Sequence, residues 1–164
     1  MTTRIFLIRH GATVLTAEDR FAGATDVQLS DEVREQARRL GERLSTEKMT
    51  AVYASPLGRT VETASIIARP HGLEVVRRDG LRESSHGHWE QMTRRQVDEK
   101  YPEEAAAWAE EPYNFAPEGG ERGRAVAGRG LPDRIEQGRA QGGGTVAGAS
   151  HQATHAARLS SRRG

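Results

Sequence analysis

The chain has 164 residues, 29% charged and 35% hydrophobic, with 6 histidines and no cysteine. This length suits one domain with a substantial core. The missing cysteine rules out disulfides, thiolate metal sites and cysteine nucleophiles, and fits a reducing compartment. The formal net charge of +1 hides an acidic first part and a basic segment 119–164 that holds eight arginines.

In chain order, Ile5-Phe6-Leu7-Ile8 is an uninterrupted apolar run, the pattern of a strand buried on both faces. The four residues before it leave no room for a charged, apolar and cleavable leader, so none is expected. No apolar run approaches the roughly 18 residues that a membrane span needs. The expectation is a cytoplasmic protein without membrane contact. Ser30 reads as the N-cap of a helix with Asp31 and Glu32 in its first turn. Leu29, Val33, Ala37, Leu40 and Leu44 form its apolar stripe. Ala51–Ala54 predicts a second strand, and Pro56 is placed to open a helix over 57–69. His71-Gly72 closes that helix, and Leu73–Val76 predicts a third strand. Helical segments over 93–111 break at Pro102, and 112–120 is a loop. A last strand near 144–147 leads into Ser150-His151. Alternating strands and helices define an α/β domain with a mostly parallel sheet. Ligands in such domains collect at the carboxyl ends of the strands, where Arg9-His10 and Ser150-His151 both fall.

Phosphoryl transfer through a protein nucleophile needs a neutral nucleophile, cations around the oxygens, a proton source and in-line approach. His10 is the candidate nucleophile, because a flanking arginine disfavours its protonated form and Gly11 allows close backbone approach. A buried structural histidine is the plain alternative for His10. Arg9 and Arg59 offer planar guanidinium forks suited to phosphate. Arg59 falls in a first helical turn, where backbone amides also favour an anion; the plain alternative is a surface arginine. Glu83 is the candidate general acid, and His151 is a second pocket histidine that would stabilise transferred charge. A metal reading competes, with His151 and His155 at i and i+4 and His86 and His88 flanking Gly87, but no glutamate follows His151 as a zinc-protease helix requires. No metal and no cofactor are expected. The basic tail has neither lysine nor aromatic residue, so nucleic acid is not the expected partner.

Four separated motifs, taken together, resemble the histidine phosphatase superfamily, the phosphoglycerate mutase-like family, over about residues 3–155. They are Arg9-His10-Gly11 with Thr13, Ser55-Pro56-Leu57 with Arg59-Thr60, Leu81-Arg82-Glu83 with Gly87 and Trp89-Glu90, and Gly119-Gly120-Glu121 followed by Thr145-Val146 to Ser150-His151. The resemblance implies a three-layer α/β sandwich and a metal-free pocket of Arg9, His10, Arg59, Glu83 and His151. His10 would be phosphorylated and then hydrolysed. Thr16, which stands where many members carry a phosphate-binding asparagine, and Gln152 join the phosphate-binding candidates. His86-Gly87-His88-Trp89 is similar to the metal-independent phosphoserine phosphatases, which places His86 near substrate. The compact chain looks more like the phosphatase branch than the mutases. The expected activity is hydrolysis of a small phosphorylated metabolite. The alternatives are a catalytically impaired phosphate-binding relative and a mutase-type phosphotransferase.

The chain departs from the family pattern at Ala12, Thr16 and Val33. It departs further beyond about residue 121, where eleven glycines fall in 119–164 and each interior helical glycine costs about 1 kcal/mol. The expectation is a single domain, 1–164, with an altered last third that packs poorly. Oligomeric state is left open.

Overall fold

A computed structural model describes residues 4–129 and, as backbone, strand 145–149. Four strands form one parallel sheet: β1 (Arg4–Ile8), β2 (Met49–Ala54), β3 (Val75–Arg77) and β4 (Thr145–Ala149), in the order β1-β4-β2-β3. The helices are α1 (Val14–Ala17), α2 (Asp31–Leu44), α3 (Gly58–Ala68), α4 (Arg94–Lys100), α5 (Pro102–Glu110) and α6 over residues 123–129. This is an α/β sandwich architecture. None of the described helices is long and apolar enough to cross a membrane.

The α2 boundary follows its sequence signals. The Ser30 hydroxyl accepts the Val33 N–H, Asp31 and Glu32 sit in the first turn, and Val33, Ala37 and Leu44 are buried. Helix α2 packs on α3, with Gly41 against the Ile66–Ile67 backbone. Together they cover one sheet face over a core of Ile8, Leu44, Met49, Val52, Ala54, Ala64, Ile67 and Ala68.

Two sequence expectations are corrected. Strand β1 is not buried on both faces: Ile5 and Leu7 are 47% and 52% exposed, while Ile8 is buried. Strands alternate their side chains, so Phe6 and Ile8 meet the α2–α3 core while Ile5 and Leu7 point away from it. Strand β1 thus buries one row of its apolar residues, the row that faces the α2–α3 layer. Pro56 does not open α3. Leu57 is the N-cap and the helix begins at Gly58, which still leaves Arg59 in the first turn.

The segment between β3 and α6 builds a second, aromatic core. Trp89, Val97 and Ala105 are buried there, with Phe21, Met92, Tyr101, Trp108 and Phe115 packed around them. Thr93 and Gln96 form the capping box of α4, and Pro102 at the start of α5 sets the expected break. Phe21, from the loop after α1, inserts its ring among His86, Trp89 and Trp108. This contact ties the aromatic core to the end of the sheet where His10 sits.

Candidate active site

The register aligns Ile8, Ala149 and Ala54 across β1, β4 and β2. The chain therefore leaves three adjacent strands at one edge of the sheet. His10 follows β1 and is 5% exposed. Its Nδ1 lies 2.7 Å from the Gly11 carbonyl oxygen. A carbonyl only accepts, so Nδ1 carries the proton and Nε2 keeps its lone pair. Arg59 Nε–H donates to that Nε2 at 3.2 Å. Gly11 has a packing role beyond the one expected: a Cβ there would meet Val33 and Gln36 at 2.7 Å.

Arg59 is 2% exposed. Besides His10, it donates from Nη1 to the Thr25 carbonyl at 2.6 Å and from Nη2 to the Gly23 carbonyl at 2.9 Å. Asp26 lies 4.0 Å from Nη1. Burial lowers the Arg59 pKa, opposed by the carboxylates of Glu83, Asp26 and Glu90; a guanidinium stays charged nonetheless. The first-turn amides of α3 are not all available to a ligand, contrary to expectation. Asp26 Oδ2 accepts the Gly58 N–H at 2.9 Å and the Ser55 hydroxyl accepts that of Leu57 at 3.4 Å.

Glu83 follows a short 3-10 turn at Asp79–Leu81 and is half-buried. Its Oε1 accepts the Ser84 N–H at 3.0 Å. Its carboxylate is among those that oppose the effect of burial on Arg59. Arg9 lies between β1 and His10 and is exposed. Thr16 sits in the capping box of α1, where its hydroxyl donates to the Thr13 carbonyl at 2.9 Å and accepts the Thr13 N–H at 2.7 Å. His86 is half-buried, with its ring 5.0 Å from that of Phe21. His151, Gln152 and His155 lie outside the described residues.

Glu90 organises the pocket, although its sequence motif assigns it no role. Its carboxylate accepts the Ala24 N–H, the Thr25 hydroxyl, the Ser85 hydroxyl and the His86 N–H at 2.8–3.2 Å. Burial alone would raise its pKa, but these bonds outweigh burial and lower it. Glu90 thus joins the 23–25 loop under Arg59 to the 85–86 loop. Among the described residues no group of three or more His, Asp or Glu side chains could hold a metal ion.

A neutral imidazole backed by a buried guanidinium, at the carboxyl end of a parallel sheet, is an arrangement chemically suited to an anionic group beside a histidine in an α/β protein. Residues 5–162 match the model of the histidine phosphatase superfamily (branch 1), and the chain belongs to that family. It is 39% identical over 118 residues to phosphoserine phosphatase 1 of Hydrogenobacter thermophilus, covering 72% of this chain and 56% of that protein. It is 36% identical over 129 residues to glucosyl-3-phosphoglycerate phosphatase of Mycolicibacterium vanbaalenii, covering 79% and 57%. The solved structure of Bacillus stearothermophilus YhfR superposes with a TM-score of 0.88 at 30% identity, covering 98% of this chain and 79% of that one. The chain spans about half the length of the curated relatives it matches.

Proposed function

We propose that the protein hydrolyses phosphomonoesters of small metabolites through a phosphohistidine on Nε2 of His10. The observation that carries this reading is the anchored imidazole: Nδ1–H held by the Gly11 carbonyl and Nε2 aimed at Arg59. As substrate enters, the Arg59 Nε–H passes from Nε2 to a phosphoryl oxygen, with Arg9 and Thr16 joining it. Nε2 attacks phosphorus and the ester P–O bond breaks. Glu83 gives its proton to the leaving oxygen. Water then attacks the phosphohistidine, returns a proton to Glu83 and releases phosphate. His151 and Gln152 complete the phosphate site on the strength of the family resemblance, and His86 meets the rest of the substrate. The names of the two relatives, a phosphoserine and a glucosyl-3-phosphoglycerate phosphatase, support a small phosphorylated substrate. The cysteine-free sequence supports a cytoplasmic setting.

The test is hydrolysis of p-nitrophenyl phosphate in EDTA, with His10→Ala alongside. The expected result is turnover that survives the chelator, vanishes in the variant, and leaves an alkali-stable phosphoryl label on the wild-type chain alone. A folded wild-type protein with no turnover overturns the hydrolase and favours a phosphate-binding relative.

A further inference from the structure

Arg129, the last described residue of α6, folds back on the loop that carries Glu83. Its Nε donates to Glu121 Oε1 at 3.2 Å and its Nη2 to Glu121 Oε2 at 3.0 Å, a two-pronged pair with one carboxylate. Nη2 also donates to the Glu83 carbonyl at 3.1 Å. Nη1 donates to the carbonyls of Arg82 at 2.6 Å and Gly80 at 3.1 Å, with that of Asp79 at 3.5 Å. All five N–H groups of the guanidinium are thereby used, and three of them hold the backbone on either side of the candidate acid. Glu121 closes the arrangement from the other end. Its Oε2 accepts the Ser85 N–H at 3.1 Å, and its own N–H donates to the Ser85 carbonyl at 2.9 Å. Arg129 and Glu121 are only partly exposed, and none of these contacts of Arg129 is with His10, Arg59 or a phosphate-facing group. The need for such a brace is physical. A loop has few internal hydrogen bonds of its own, and a 1 Å misplacement of a reacting group costs about 100-fold in rate.

We propose that Arg129, locked on Glu121, is a positioning residue for the proton-transfer step: by gripping the carbonyls of Gly80, Arg82 and Glu83 it keeps the Glu83 carboxyl within reach of the leaving oxygen. This rests on the assignment of Glu83 as general acid made above. The planar fork is essential, because a lysine ammonium cannot span Glu121 and three carbonyls at once.

The experiment uses the full chain and two substrates. O-phosphoserine has an alkoxide leaving group that needs a proton, whereas p-nitrophenolate leaves unaided. In single-turnover experiments that follow phosphohistidine formation alone, Arg129→Met and Arg129→Lys are expected to lower the rate of phosphoryl transfer from O-phosphoserine by roughly 10- to 100-fold while changing that from p-nitrophenyl phosphate by less than about 3-fold. Glu83→Gln should show the same selectivity, more strongly. Equal losses on both substrates in the Arg129 variants, beside a selective Glu83→Gln, overturn the positioning role and leave the acid intact. An unselective Glu83→Gln overturns the acid itself. Hydrogen exchange reads the brace independently of turnover: residues 79–85 should exchange at least about ten times faster in Arg129→Met, with β2 unchanged. Unaltered exchange at 79–85 overturns the proposal whatever the kinetics show. Should Arg129→Met fail to fold, Glu121→Gln, which keeps an acceptor and removes the charge, is expected to give the same selective loss in weaker form.

Discussion

Arg59 and His10 meet inside the protein, Nε to Nε2 at 3.2 Å, with both side chains almost wholly withdrawn from water. A guanidinium beside an imidazole lone pair keeps that imidazole neutral, because protonation would set two cations against each other. The pair holds the proposed nucleophile in its reactive form and brings the proposed phosphate-binding cation to the same point. The other donors of Arg59 grip Gly23 and Thr25, so one side chain shapes the loop and the site together.

That double duty gives the first prediction. Arg59→Met leaves one buried and one half-buried carbonyl without their donor, which costs about 2–3 kcal/mol, and it removes the proposed partner of the anion. Urea denaturation should show the stability loss, and calorimetric titration with inorganic phosphate at least a tenfold weaker affinity. Arg59→Lys should recover part of the affinity and little of the stability. A variant as stable as wild type would sink the structural half of the argument.

Glu90 makes stability depend on pH in a defined direction. Its folded pKa lies below its ordinary value of 4.5, so the folded protein binds a proton there less readily than the unfolded chain. The stabilisation is complete above that ordinary value and is lost as pH falls through the lower, folded value. Urea midpoints measured from pH 6 downward should fall in the wild type and flatten in Glu90→Gln, which should also be less stable at neutral pH. Glu121, lowered by Arg129 and Ser85 against the opposing effect of burial, adds to the same slope.

Gly87 and Gly72 separate strain from collision. Both have positive φ, 54° and 64°, but a Cβ on Gly87 would sit 2.0 Å from the Glu118 carbonyl oxygen, whereas one on Gly72 meets nothing within 4 Å. Gly72→Ala should cost about 1 kcal/mol, and Gly87→Ala about 3 kcal/mol or more, a fall in Tm of roughly 6 °C or greater. Similar Tm values for the two variants would show that the 85–87 and 118–120 backbones do not approach as described.

Trp89 is fully buried, ringed by Phe21, Trp108 and Phe115, and donates from Nε1 to Glu104 at 3.1 Å. Trp89→Ala should cost about 4 kcal/mol by denaturant titration. Trp89→Phe keeps most of the packing and loses the donor, so about 1 kcal/mol is expected. Because Phe21 bridges Trp89 to His86, the KM for a phosphoester should rise in both variants more than kcat falls.

The sequence alone determined the elements whose signals are local. The Ser30 cap and apolar stripe of α2, the break at Pro102 and the closing turn at His71-Gly72 depend on neighbours within one or two helical turns, and the structure has them there. The candidates His10, Arg59 and Glu83 were named from the sequence because four motifs in order resemble a known family; His10 follows β1, Arg59 lies in the first turn of α3 and Glu83 follows a short turn. Tertiary structure decided the rest. Whether β1 buries one apolar row or two depends on what packs on each face of the sheet, and its four-residue apolar run is the same in either case. The amide of Gly58 is engaged by Asp26 from 32 residues away, so a helix start that reads as an anion site is already answered by a carboxylate. Glu90 and Arg129 looked like two charges among many. Their roles come from hydrogen bonds to backbone groups far along the chain, and backbone groups are identical in every residue, so sequence cannot mark which of them a distant side chain will find.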